Sequence, residues 1–101
     1  MSTLEPFVTD DGRRLLEFFC PGCRYYHAFT IGRADTTGGP IWTWNGDMIR
    51  PTFSPSLLVN GSTEQRCHLF VRDGQIEFLS DCWHELRGKT VSLPAVEECA
   101  K

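Results

Sequence analysis

Four Asx-Gly dipeptides set the terms on which this chain can fold. Asp11-Gly12, Asn45-Gly46, Asn60-Gly61 and Asp73-Gly74 each favour the positive-φ backbone of a tight hairpin turn. Each lies beside short runs rich in apolar or β-branched residues. Phe7-Val8-Thr9 leads into Asp11 and the run 15–19 follows; the run 41–44 leads into Asn45 and Met48-Ile49 follows; the run 56–59 leads into Asn60, and the run 67–71 follows a longer loop. No segment holds a helical stripe for long, and only 81–87 is suited to a helical turn. The pattern predicts a mainly β domain of about six to eight short strands, a small antiparallel barrel or sandwich with a zinc knuckle and little helix. Pro51, Pro55 and Pro94 mark bends or sheet edges. The segment 32–40 reads as an exposed loop.

At 101 residues the chain is expected to be one domain over 1–101, with a flexible acidic tail from 95 onward. Ten basic against thirteen acidic residues leave a net charge of −3, which argues against a generic phosphate-neutralising nucleic-acid binder. There is no apolar run long enough to span a membrane and no signal-like start, so the expected setting is the cytoplasm. Asn60-Gly61-Ser62 matches a glycosylation acceptor but carries no weight in that setting.

Five cysteines are many for this length, and in a reducing compartment they point to metal or catalysis before disulfides. Cys20-Pro21-Gly22-Cys23 is the strongest local feature. Two thiolates two residues apart can grip one metal ion from a tight turn, and Pro and Gly suit that turn. Its alternatives are a redox pair, which usually opens a helix, and ordinary buried cysteines. A structural zinc site needs two more ligands, drawn from His27, Cys67, His68, Asp81, Cys82 and His84.

Strand geometry sorts these candidates. A two-residue turn at Asp73-Gly74 sets Val71 opposite Ile76, Leu69 opposite Phe78 and Cys67 opposite Ser80. Cys82 continues that apolar side if its strand runs on. The expected metal set is therefore Cys20, Cys23, Cys67 and Cys82 around Zn²⁺. His84 could replace a cysteine if the chain coils after Asp81. A zinc staple is worth ~10–16 kcal/mol in zinc-finger peptides, which suits a domain this short.

The opposite face carries His68 and Asp81, with His27 or His84 as possible companions. A mixed His and Asp set suits a catalytic zinc better than four thiolates do. The reading is a zinc-dependent hydrolase centred on His68, Asp81 and His84. Ser54 or Ser56, from the hydroxyl-rich run 51–56, would orient substrate or oxyanion. A serine nucleophile would need a base, and His68 could be one; the bland alternative is a polar bend capping its own backbone. Trp42 and Trp44 alternate onto one face, as a core or edge pair or as an aromatic contact surface. The second reading is a non-catalytic zinc module that binds a host or phage protein through that surface.

The ordered series Cys20-x-x-Cys23-x-x-x-His27, Trp42-x-Trp44-Asn45-Gly46, Pro51-Thr52-Phe53-Ser54-Pro55-Ser56, Cys67-His68-x-Phe70-Val71-x-Asp73-Gly74, Asp81-Cys82-x-His84 and Val91-x-Leu93-Pro94 resembles a family of small phage and prophage proteins often labelled "ammonia monooxygenase". That enzyme is a large membrane copper protein, so the label's activity is not expected of this chain. More distantly, the Cys pair, Pro55-Ser56 and His68-x-Phe70 resemble a peptidase-like domain encoded beside bacterial ubiquitin-like conjugation genes. The resemblances imply a phage or prophage setting and a peptidase-like activity.

Overall fold

A computed structural model describes residues 2–32 and 41–96. The predicted loop falls almost wholly on 33–40, and most of the predicted tail, with Cys99, falls on 97–101; both lie outside the described residues.

The described chain forms nine strands and no α-helix. They are β1 (Glu5–Val8), β2 (Arg14–Cys20), β3 (Tyr25–Gly32), β4 (Thr43–Trp44), β5 (Phe53–Ser54), β6 (Leu57–Val59), β7 (Cys67–Arg72), β8 (Gln75–Phe78) and β9 (Thr90–Ser92). All pairings are antiparallel, in a three-stranded sheet β1-β2-β3, a two-stranded ribbon β4-β5 and a four-stranded sheet β6-β7-β8-β9. The sheets pack as a small sandwich and do not close into a barrel. The candidate helical turn at 81–87 is a run of turns and bends.

The turn residues act as their chemistry dictates. Asp73 and Gly74 both take positive φ, 49° and 74°, as a two-residue hairpin needs. The resulting register sets Leu69 against Phe78 and Val71 against Ile76, as expected. In β2 and β7 every second residue is buried: Leu16, Phe18 and Cys20, then Cys67, Leu69 and Val71. These inward rows meet Phe29 of β3, Phe53 of β5 and Ile76 and Phe78 of β8 in one apolar core. Phe53 lies flat on Phe29, with centroids 3.9 Å apart and planes within 4°. It ties the short ribbon, which has few ladder bonds of its own, to the larger sheets.

Long-range backbone bonds draw the ends in. Thr3 N–H donates to Met48 C=O, Leu93 N–H to Gly74 C=O and Val96 N–H to Ser2 C=O. Phe53→Ala should cost ~3–5 kcal/mol of stability. Urea unfolding followed by tryptophan fluorescence measures that loss directly.

Candidate active site and metal centre

Two groups of polar side chains sit back to back on the two faces of β7. The first faces inward. Cys20 ends β2 and Cys23 lies in the turn to β3, which Arg24 closes by donating its N–H to Cys20 C=O at 2.8 Å. Cys67 opens β7 on its buried face. The fourth member is His84. The ligand atoms of Cys20, Cys23, Cys67 and His84 all lie within 4.8 Å of one another.

The donor set and spacing suit a metal ion. Sulfurs bound at 2.3 Å in a tetrahedron stand about 3.8 Å apart; Cys20 Sγ and Cys67 Sγ are 4.0 Å apart. Cys67 Sγ lies 3.5 Å from His84 Nε2. Leu86 N–H donates to His84 Nδ1 at 3.2 Å, which orients the ring with Nε2 facing Cys67; in this tautomer Nε2 carries the ring proton, which a metal ion at Nε2 would displace. Gly22 makes room for that ring: a Cβ there would lie 2.2 Å from His84 Cε1. Cys23 N–H donates to Cys20 Sγ at 3.4 Å, and Trp83 Nε1–H donates to Cys23 Sγ at 3.4 Å. Such outer donors orient metal-bound thiolates.

The thiols already share charge unequally. A hydrogen bond from Cys67, with help from His27 and Cys23 N–H, pulls the Cys20 thiol down to about 4 against the effect of burial. The same Cys20–Cys67 bond, then burial, pushes Cys67 up, and burial pushes Cys23 up. His27 itself is buried beside this group, and its Nε2 has no hydrogen-bond partner among the described residues.

The structure puts His84, not Cys82, in the fourth place, and the reason is local. The alternation that assigns Cys82 to the inner side holds only while the strand continues, and β8 ends at Phe78. Leu79 N–H still bonds His68 C=O, but the chain then turns and Cys82 N–H returns to Leu79 C=O. Trp83 N–H bonds Arg66 C=O, which carries the chain past the end of β7 and delivers His84 to the Cys67 side. The signal was the polar Ser80-Asp81 pair, which suits a turn better than a strand. The Cys82 thiol instead clasps the backbone of His68. It accepts from His68 N–H at 3.2 Å and donates to His68 C=O at 3.0 Å.

The second group faces outward. Ser56 Oγ lies 3.1 Å from His68 Nε2, and His68 Nδ1 lies 3.2 Å from Asp81 Oδ2. A carboxylate accepts only, so Nδ1 carries the ring proton and donates it to Asp81, leaving Nε2 to accept from Ser56 Oγ–H. Arg66 Nη1 stands 3.7 Å from the same carboxylate oxygen. The His68 and Asp81 side chains are 26% and 39% exposed, so the line of three groups lies at the surface. His84, expected beside His68 and Asp81, is with the thiols instead. Ser54 sits in β5 opposite Thr43 and makes no hydrogen bond with His68 among the described residues.

One of the two tryptophans, Trp42, supports this outer group from the side. Trp42 packs edge-on against Phe29 and donates its Nε1–H to Ser56 C=O at 3.1 Å. Trp44 stacks towards Phe53 and donates to Asp47 C=O. Both are half-buried.

A family model described as "Bacterial ubiquitination-like system serine protease (BubE)" matches residues 3–79. The match covers about three quarters of the chain, and the chain belongs to that family. The matched span contains Cys20, Cys23, Ser56, Cys67 and His68 and ends just before Asp81 and His84. It agrees with the peptidase-like resemblance and does not bear on the phage one. No curated protein and no solved structure matches.

The geometry separates the cysteines by role. Cys67→Ser and Gly22→Ala should each lower the metal bound per chain, whereas Cys82→Ser should keep the wild-type content. Elemental mass spectrometry on protein purified without added metal reads the difference.

Proposed function

We propose that the chain is a serine hydrolase of the peptidase type, built on a fold fastened by zinc. The observation that carries this is the unbroken line from Ser56 Oγ through the His68 imidazole to Asp81, with its two links of 3.1 and 3.2 Å. Nucleophile, base and orienting carboxylate in that order are recognised by geometry and role rather than by chain position. Family membership supports the same reading. It replaces the expected zinc hydrolase, because His84 stands with the thiols and Ser56 has a base within reach.

The chemistry follows from the groups present. His68 Nε2 takes the Ser56 Oγ proton as Oγ attacks the substrate carbonyl. The tetrahedral adduct collapses, the C–N bond breaks, and the imidazolium returns the proton to the leaving amine. Water then attacks the acyl-serine with His68 again accepting the proton, and the carboxylic acid leaves as Ser56 is restored. Asp81 holds the ring in the tautomer that makes Nε2 basic and steadies the imidazolium. Trp42, through Ser56 C=O, fixes the backbone that carries the nucleophile.

Cys20, Cys23, Cys67 and His84 would hold the metal. Three thiolates and one imidazole form a closed structural zinc set. Bound there, such an ion would cross-link the ends of β2 and β7 to the turn after β8 and would touch no reacting atom. The family's description makes a peptide or isopeptide bond in a protein of a ubiquitination-like system the proposed target. The resemblance to phage and prophage proteins proposes a bacterial cytoplasmic setting with a host or phage protein as substrate.

A fluorophosphonate probe should label Ser56, located by peptide mass spectrometry. Ser56→Ala and His68→Ala should each lower peptidase or ester turnover by roughly 10³-fold or more, and Asp81→Asn by ~10²–10⁴-fold. Full activity in Ser56→Ala would remove the reading. Exchange of zinc for cobalt should leave kcat within about two-fold, because a structural ion touches no reacting atom, whereas a catalytic one would change it.

A further inference from the structure

The strand that follows the nucleophile has an open side. Among the described residues β6 is the edge of its sheet and pairs only with β7. The direction of its backbone groups follows from the neighbouring ladder. His68 N–H and C=O are both engaged on the β8 side, by Cys82 Sγ and Leu79 N–H. In an antiparallel ladder the N–H and C=O of one residue point to the same side, and bonded pairs alternate with non-bonded ones. The Leu58–His68 pair is therefore a non-bonded one. Leu57 and Val59 bond to β7, and the N–H and C=O of Leu58 point outward.

Nothing among the described residues satisfies those two groups. Ser56, two residues earlier, turns its C=O to the same side, where the Trp42 indole caps it at 3.1 Å. The open stretch thus begins just past the capped residue. The Leu58 side chain is 53% exposed and shares the outer face with His68, its cross-strand neighbour. An unpaired edge is a template for a further strand.

We infer that this edge is the substrate site, and that the substrate is an extended peptide segment added to the sheet beside β6. One substrate residue exchanges both backbone hydrogen bonds with Leu58, which brings a nearby carbonyl over Ser56 Oγ. The affinity is main-chain affinity, so the site selects unfolded or tail-like segments over folded ones. This inference rests on the reading of Ser56 as nucleophile and adds to it how the peptide is held.

Leu58→Pro tests it, because proline removes only the outward N–H and is tolerated on an edge strand. Unfolded β-casein is the peptide substrate and p-nitrophenyl acetate is the reference, since the acetate has no peptide backbone to pair. The ratio of kcat/KM for casein cleavage to that for acetate hydrolysis should fall ~10-fold in Leu58→Pro, the scale of one lost hydrogen bond in a water-poor contact, through a rise in KM rather than a fall in kcat. An unchanged ratio, or wild-type protein that hydrolyses the acetate and leaves casein intact, overturns the inference.

A second measurement uses the wild-type chain alone. Amide exchange at Leu58 should slow ~10-fold when a tripeptidyl phosphonate occupies Ser56, relative to a diisopropyl phosphoryl group on the same serine. Equal exchange overturns the inference while leaving the nucleophile standing. Failure of both reagents to label Ser56 removes the nucleophile itself, and the substrate site with it.

Discussion

The rest of the structure depends on the two-residue alternation of β7. Its neighbouring residues Cys67 and His68 point to opposite faces, as successive strand residues must. One reaches into the thiol cluster and the other into the line with Ser56 and Asp81. The strand is at once the wall of a metal centre and the support of a base. Any slip of its register by one residue would exchange the two faces and destroy both. The hairpin at Asp73-Gly74 and the apolar row Leu69, Val71, Ile76 and Phe78 make that slip costly, because it would turn Leu69 and Val71 away from Phe78 and Ile76 towards solvent.

The second joint is the turn after Leu79. It carries Asp81 to one face and His84 to the other; a continuing strand would keep the two faces but place His84 ~13 Å beyond Ser80, whereas the turn brings it back beside Cys67. Cys82 stands between them and completes the ladder where the backbone has left it. Its N–H takes the Leu79 carbonyl, and its sulfur takes the His68 N–H that a continuing strand would have bonded. Cys67 and His84 of the inner cluster thus flank His68 and Asp81 of the outer group along the chain. A metal ion would hold both ends of the arrangement without touching its chemistry.

This division suits a chain of 101 residues. A domain of this size buries too little apolar surface to hold the surface-lying line of Ser56, His68 and Asp81 rigid through its core alone. Ordering three polar side chains costs conformational entropy. A zinc cluster directly beneath them would supply that order locally, and the Trp42 indole does the same for the Ser56 backbone.

What the sequence by itself determined was everything governed by local rules. The Asp73-Gly74 hairpin, the period-two burial of β2 and β7, the β7–β8 register and the close approach of Cys20 and Cys23 were all legible, because each depends on residues a few positions apart, whereas Asp11-Gly12, Asn45-Gly46 and Asn60-Gly61 lie in longer loops between their strands and not in two-residue hairpins. So was the separation of Cys67 from His68. Tertiary structure alone decided how these pieces share their ligands. Extrapolating the strand beyond Leu79 assigned Cys82 to the metal, but the strand's end is set by contacts with Arg66 and His68, far along the chain. The pairing of Ser56 with His68 is likewise a product of β6 lying beside β7. Reading a hydroxyl as a nucleophile required knowing which base it meets, and only the assembled sheet brings the two within a hydrogen bond.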